Sequence, residues 1–440
     1  MGIKHGIISN QHEISLAMRY IINMLVFCSG VCLAQPADTL DLYECHRSAI
    51  ENHPWFKQKE LYSQSKELRT RNHTTNWYPS LDLNGKYTWQ NEVVELPFPG
   101  DIIPGFETPL MPHYNYKLSL DIQQTLYDGG ITKSSKKVEA SKLLVNQQQV
   151  EVSLNQLKEQ VNRLFFYILT LQQQEKSIQL KLDELEERSS IIESGVRNEI
   201  FLEADLDIMQ AEILKVNQLL AEISITKSSV FQMLGNLTAI HIPESAVLEL
   251  PHADIEPAVE VPRPEQVLYD LQILNLEASM NLVSKQRHPK AYVFGSFSYG
   301  NPGLNFFRDE FRGFYVVGAG LKWNIWDWSN TSRSRQDITI QQEIIRSQKA
   351  AFDKNLDIQL AEKLAEIAKY EEAVRRDKEI VVLRSKISRS AASQLENGVI
   401  TTTDYITELN AETEARIRLE THRIQLVQAQ INYLTTKGII

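Results

Sequence analysis

Residues 150–192 read VEVSLNQLKEQVNRLFFYILTLQQQEKSIQLKLDELEERSSII, and their apolar positions decide the fold. Val150, Leu154, Leu157, Val161, Leu164, Ile168 and Leu171 step by four and three in turn, and the series resumes at Ile178, Leu182, Leu185 and Ile192. That is the period of about 3.5 residues of a coiled-coil seam. A second run repeats it with Leu206, Met209, Ile213, Val216, Leu220, Ile223, Val230 and Leu234. Neither run contains Pro or Gly, so the spacing predicts two very long helices broken near Gly195, the first about 90 Å long. A helix of that length buries its seam only against other long helices.

The chain has 440 residues and a net charge of -10, with no basic stripe of the kind a nucleic-acid partner requires. Its three cysteines are Cys28, Cys32 and Cys45. The first two fall within an export signal that begins at Met18: Arg19, the apolar run Tyr20 to Val31, then Cys32-Leu33-Ala34 before Gln35. Residues 1–34 are thus expected to be a signal peptide, with 1–17 an upstream extension. Phe27 before Cys28 and Val31 before Cys32 are poor neighbours for a lipid-modified cysteine. One remaining cysteine makes neither an internal disulfide nor a metal cluster. Beyond Ala34 no apolar run is long enough for a transmembrane helix, so any membrane span must be made of strands.

The rest of the chain is a duplication. A helical pattern covers Asp38 to about Asn76. After Pro79, Leu81, Leu83, Gly85, Tyr87 and Trp89 alternate with polar residues, giving a strand over 80–90. A Pro-rich loop leads to a second strand over 115–127, ending in Tyr127-Asp128-Gly129-Gly130, and a helical hairpin follows over 131–236. Residues 237–262 read as a Pro-rich linker. The plan then recurs in 263–436: a helix, strands over 290–300 and 313–326, and a hairpin over 330–436. Pro289 and Gly295 answer Pro79 and Gly85, Trp326-Asp327 answers Tyr127-Asp128, and Asn397-Gly398-Val399 is aligned with Ser194-Gly195-Val196. On that alignment the Asp-to-Gly distances are 67 (128 to 195) and 71 (327 to 398), nearly matched.

Strands of about ten residues with one apolar face suit a tilted bilayer span. Trp89, Tyr127, Trp323, Trp326 and Trp328 sit near strand ends, where an aromatic girdle belongs. Four strands cannot close a barrel, so the pattern implies one shared between chains. A periplasmic coiled-coil scaffold or adaptor without a membrane barrel is the competing reading. No metal, nucleophile or phosphate-loop motif occurs; Gly318 and Gly320 lie inside a strand and fit close strand packing better than dinucleotide binding. Neither an enzyme nor a cofactor is expected.

The combination resembles the TolC-type outer-membrane efflux factors. It rests on the duplicated plan, on Pro79/Gly85 and Pro289/Gly295, on the Asp-led helix starts, and on Gly398-Val399-Ile400-Thr401-Thr402-Thr403-Asp404-Tyr405 at the second tip. The resemblance implies a mixed, mostly helical membrane protein. It would be a homotrimer with a 12-stranded barrel in the outer-membrane lipid and a long periplasmic α-barrel. A periplasmic adaptor (membrane fusion) protein would dock on it and link it to an inner-membrane pump of RND or ABC type. The implied adaptor contacts are Gly195, Val196, Gly398, Val399, Thr401 and Thr402. Asp404 and Glu408, with Glu199 and Asp205 at the other tip, are candidates for an acidic ring at the periplasmic gate. Thr401 and Asp404 also read as a helix start, which needs no partner. The first tip lacks the Ser/Thr expected after its glycine.

Overall fold

The computed structural model describes residues 39–94, 111–252 and 262–440. The expected signal peptide, most of the first Pro-rich loop and residues 253–261 of the linker lie outside these. In chain order the elements are β1 (Thr39–Leu40), α1 (Leu42–Asn52), α2 (Pro54–Thr74), β2 (Ser80–Trp89), β3 (Tyr114–Tyr127), α3 (Ile131–Arg197) and α4 (Glu203–Thr238). Then come β4 (Val247–Leu248), α5 (Pro264–Lys285), β5 (Lys290–Asn301), β6 (Arg312–Lys322), α6 (Asn330–Glu396) and α7 (Thr402–Lys437). The fold is long helical hairpins joined to a four-stranded antiparallel sheet in the order β2-β3-β5-β6.

The heptad seam is the core. Every seam position of α3 from Val150 to Ile192 is buried except Leu164, which is half-buried. On α4, Met209, Val216, Ile223 and Val230 are buried at seven-residue steps, with Leu206, Ile213 and Leu220 half-buried between them. The two hairpins match in length: α3 and α6 have 67 residues each, and α4 and α7 have 36 each. Asp128 and Asp327 start the long helices alike. Each accepts a backbone hydrogen bond four residues on, from Thr132 (2.6 Å) and Thr331 (2.9 Å).

Each short helix covers only part of its long neighbour, and a second short helix continues along it. Around the same level of α3, Gln148 donates to the Pro264 carbonyl at the start of α5 (2.9 Å) and Glu151 pairs with Lys59 of α2. Just beyond, Asn162 donates to Thr435 near the end of α7 (3.2 Å), and its side-chain oxygen accepts from His46 of α1 (2.7 Å). The parallel bridge of β1 with β4 lies nearby, held to α3 by Gln172, whose side chain donates to the Ala246 carbonyl (2.8 Å).

Two expectations need correction. The stretch from Asp38 to Asn76 is two helices, because His53, preceding Pro54, takes an extended backbone (φ -70, ψ 137). His53 ends α1 and caps α2, accepting from the Trp55 amide (3.2 Å). The last strand stops at Lys322 rather than at 326. Its partner β5 begins at Lys290, after Pro289, which has no N–H to extend the ladder.

Candidate functional site

The sheet has two unlike faces. On one, Leu81 faces Ile122, Leu83 faces Leu120, and Tyr87 faces Tyr116, continued by Phe297 opposite Tyr315 and Ala291 opposite Leu321. Most of these side chains are exposed in the single chain, Leu83 and Leu321 at 71% each, while Ile122 and Ala291 are half-buried. On the other face Asp82, Asn84, Lys86, Lys117, Ser119, Asp121, Ser296 and Ser298 lie in register, polar across β2 and β3, with Tyr292, Phe294, Phe314 and Val316 among them on β5 and β6. There the Asp121 carboxylate accepts from Asn84 (2.7 Å) and Ser119 (3.0 Å). An exposed apolar surface this extensive needs a non-aqueous neighbour, and its polar reverse suits water.

Aromatic side chains mark both ends of the apolar face. Trp89 (66% exposed) stands at the end far from the helices, near the Tyr87–Tyr116 pair (ring centroids 4.9 Å apart). Tyr127, Trp323, Trp326 and Trp328 stand at the helical end, all exposed. The Trp323 indole donates to the Arg287 carbonyl (3.0 Å), and Trp326 meets Trp328 edge to face. Gly318 and Gly320 have a specific role: a Cβ there would lie 2.6 Å from the Phe294 ring and 2.4 Å from the Tyr292 ring. Each glycine is the floor beneath an aromatic ring on the neighbouring strand.

At the hairpin tips the structure shifts the alignment of the two repeats by four residues. Gly195 is inside α3, not in the turn. Its missing Cβ makes room for Phe201, whose ring would be 2.4 Å from it. The turn residue is Glu199, in the left-handed region at φ 60, and its counterpart is Gly398 at φ 68. Asn198 and Asn397 precede them with nearly the same backbone angles. The amide of Ile200 bonds to the Gly195 carbonyl as that of Val399 bonds to Gln394, each at 2.8 Å. Val196 is half-buried against the core, whereas Ile200, Leu202 and Val399 are 69%, 73% and 70% exposed. The glycine was a misleading marker, since the first tip reaches the left-handed conformation with a glutamate.

Thr401 and Asp404 close a reciprocal cap. The Asp404 amide donates to Thr401 Oγ1 (3.2 Å), and the Thr401 amide donates to Asp404 Oδ2 (3.1 Å). Hydrogen bonds from the Thr401 hydroxyl and amide hold the Asp404 carboxyl below its ordinary pKa. At the first tip only half of this exists. The Leu202 amide donates to Asp205 Oδ2 (3.2 Å), but Leu202 has no acceptor to return. Thr402 is buried and its hydroxyl has no hydrogen-bond partner among the described residues.

Asp404 and Glu408 line one groove between α6 and α7, with Ile387, Gln394 and Thr407. Both carboxylates are engaged there, Asp404 in the cap and Glu408 with Arg384 (3.2 Å). Glu199 is exposed in its turn, and Asp205 caps α4. One tip residue escaped sequence reasoning. Tyr405 is fully buried and its hydroxyl donates to Glu184 (2.9 Å), while the Arg188 guanidinium stacks over its ring and pairs with Glu396. Burial, then the nearby Glu184 carboxylate, raises the Tyr405 pKa. This cluster ties the first hairpin to the second. Its sequence signals are its place at the end of the second-tip motif and a tyrosine where the seam wants an aliphatic residue.

No family model and no characterised protein sequence matches this chain. Solved structures do. The outer membrane protein VceC from Vibrio cholerae superposes with a TM-score of 0.64 at 11% identity, over 90% of this chain and 96% of that one. The Neisseria gonorrhoeae MtrE outer membrane channel, in its open state, gives 0.63 at 14% identity, over 90% and 88%. A membrane protein from Pseudomonas aeruginosa gives 0.67 at 14% identity, over 91% of each. This chain has the outer-membrane channel fold. Among the described residues no helix is long and apolar enough to cross a membrane, and no cluster of three or more His, Cys, Asp or Glu could hold a metal ion.

Proposed function

We propose that this chain is one third of an outer-membrane exit duct, the final conduit of a tripartite efflux or type I secretion system. The observation that carries this is the sheet: one face apolar and largely exposed, the reverse polar across β2 and β3, and both edges, β2 and β6, without a strand partner among the described residues. In lipid an unpaired strand edge costs several kcal/mol per backbone group. Three copies closing edge to edge make a 12-stranded barrel, with Trp89 at the outer rim and Tyr127, Trp323, Trp326 and Trp328 at the inner one. The long hairpins then extend into the periplasm, and substrate diffuses through the tube, driven by an inner-membrane pump. The mature chain begins at Gln35.

The tips carry the docking surface for a periplasmic adaptor. Gly398 and Val399 present it at the second tip, with Thr401 and Thr402 behind them. Ile200 and Leu202 supply the equivalent apolar surface at the first, where Gly195 and Val196 serve the turn from inside the helix. The acidic residues Glu199, Asp205, Asp404 and Glu408 ring the same end and favour cations at the entrance.

Fractionation of the tagged protein, then detergent extraction and light scattering, tests the reading. A trimer in the outer-membrane fraction that conducts ions in planar bilayers is expected. A soluble periplasmic monomer or dimer would overturn it in favour of a scaffold or adaptor.

A further inference from the structure

The chain contains one closed strand joint between its repeats, β3 against β5, and two open halves of another, the outer edges of β6 and β2. The closed joint is a template for the open one, because the two β-hairpins are copies in register. Ser80 faces Gln123 as Lys290 faces Lys322, and Gly85 faces Leu118 as Gly295 faces Val317. A shift of 210 on the first strand (Ser80 to Lys290) and of 199 on the second (Gln123 to Lys322) carries every pair of one hairpin onto a pair of the other. The second shift also carries Ile131 to Asn330 and Glu199 to Gly398, so it holds through the long helices.

The same shifts convert the β3–β5 register into a register for β6 against β2. Leu120 opposite Phe297 becomes Ala319 opposite Tyr87, and Ile122 opposite Gly295 becomes Leu321 opposite Gly85. Apolar positions again fall opposite apolar or small ones, on the same face.

The ends of the two joints differ. In the closed joint Gly129 (φ 72) lies so near the start of β5 that a Cβ would stand 2.7 Å from the His288 Cβ. Its counterpart is Trp328, in the left-handed region at φ 52, and 77% exposed. A bulky side chain on that backbone is strained, and among the described residues the one aromatic ring Trp328 meets is Trp326, edge to face. The counterparts of His288 and Pro289 are Tyr78, 63% exposed, and Pro79. At the far end Gly300 approaches Tyr116 so closely that a Cβ would be 2.3 Å from its carbonyl oxygen, and the counterpart there is Gln90. The open joint therefore cannot close as tightly at either end.

We propose that adjacent copies of this chain join in this register, Ala319 opposite the next copy's Tyr87, with the Trp328 ring seated on the next copy's Tyr78–Pro79 turn. The inference rests on the reading of the chain as one share of a closed barrel. Its partner is a second copy, since that copy offers the complementary edge in matching register. Trp328 acts as a spacer where Gly129 lets the in-chain joint close. The ring thus alternates tight joints within chains and wider, aromatic-filled joints between them.

Cysteine pairs in the full mature chain test the register: Ala319→Cys with Tyr87→Cys, against Ala319→Cys with Gly85→Cys or with Trp89→Cys. The last two are slips of two residues either way. Cys45 is buried and stays. Mild oxidation should give covalent dimers and trimers about fivefold more from the first pair, since a slipped pair falls outside disulfide reach. Trp328→Ala should lower the temperature at which the oligomer dissociates in detergent, while the isolated chain keeps its helicity. A trimer that links best through a slipped pair would overturn the register and leave the barrel standing. An unchanged dissociation temperature in Trp328→Ala would overturn the aromatic seat. Absence of any oligomer by light scattering would overturn the barrel and this joint with it.

Discussion

The half-made cap at the first tip allows a gain to be predicted rather than a loss. Leu202 has the backbone of a helix N-cap (φ -82, ψ 154), nearly that of Thr401 (φ -81, ψ 160), and Asp205 already accepts from its amide. Only the side-chain acceptor is missing. Leu202→Thr should supply it and complete the reciprocal pair. The leucine is 73% exposed, so little burial is lost. An N-cap hydrogen bond contributes about 1 kcal/mol. Read by hydrogen exchange, that is about a fivefold slowing of the first-turn amides of α4, the Asp205 amide above all. Thr401→Leu should produce the mirror change, speeding the Asp404 amide by about the same factor. The assay is exchange followed by mass spectrometry on the detergent-solubilised protein, with peptides spanning each tip. Leu202→Thr without slowing, together with Thr401→Leu without acceleration, would refute the claim that the two tips share one geometry and differ by one acceptor.

Three further expectations concern a glycine, an ion pair and the α7 cap. Gly129→Ala meets both a left-handed backbone, costing about 1–2 kcal/mol, and the His288 Cβ at 2.7 Å. It should sharply cut the yield of folded protein, while Gly398→Ala, with nothing within 4 Å of its added methyl, should cost only the backbone penalty, as circular dichroism melts will show. Lys181→Met removes the nearest and buried partner of the Glu212 carboxylate (2.6 Å), leaving it the exposed Lys215 at 3.5 Å. The loss should be about 3 kcal/mol in denaturant unfolding, with much of it restored by adding Glu212→Gln. Acid should fray the start of α7. The folded pKa of Asp404 lies below its unfolded value, so the cap's contribution is complete above the unfolded value and is lost as pH falls through the folded one. Exchange at the Asp404 amide, compared with Asp404→Asn, checks this: the variant should show no such pH dependence.

The long-range plan was readable because it is written in periods. The seam from Val150 to Ile192 and the alternation from Leu81 to Trp89 each repeat many times, so single exceptions do not hide them. The pairing of β3 with β5 needed the fold, since no local pattern says which edge meets which. Point features read less well. His53-Pro54 sits inside a helical pattern that masks it, although proline disfavours helix in the residue before it. Gly195 drew the turn to itself, yet it serves packing under Phe201, and the true turn spends a left-handed glutamate. The Thr401–Asp404 helix start is legible in the sequence, whereas the pairing of Glu408 with Arg384 shows only once α6 lies beside α7. Tyr405 with Glu184 belongs to the same class, as the two residues are 221 apart in sequence.

The handover of short helices along α3 has a mechanical consequence. Near Gln148 to Asn162, α5 begins, α2 begins and α7 ends, so only α3 and α6 run unbroken past that level. The wall there resembles planking in which alternate boards are butted end to end at one height. Twisting or bending of the lower shaft relative to the part near the sheet will concentrate in this belt. The β1–β4 bridge and α1 lie against it as a hoop, fastened through Gln172, His46 and Asn162. Cutting those fastenings should loosen the shaft without unravelling either hairpin, because each hairpin keeps its own seam.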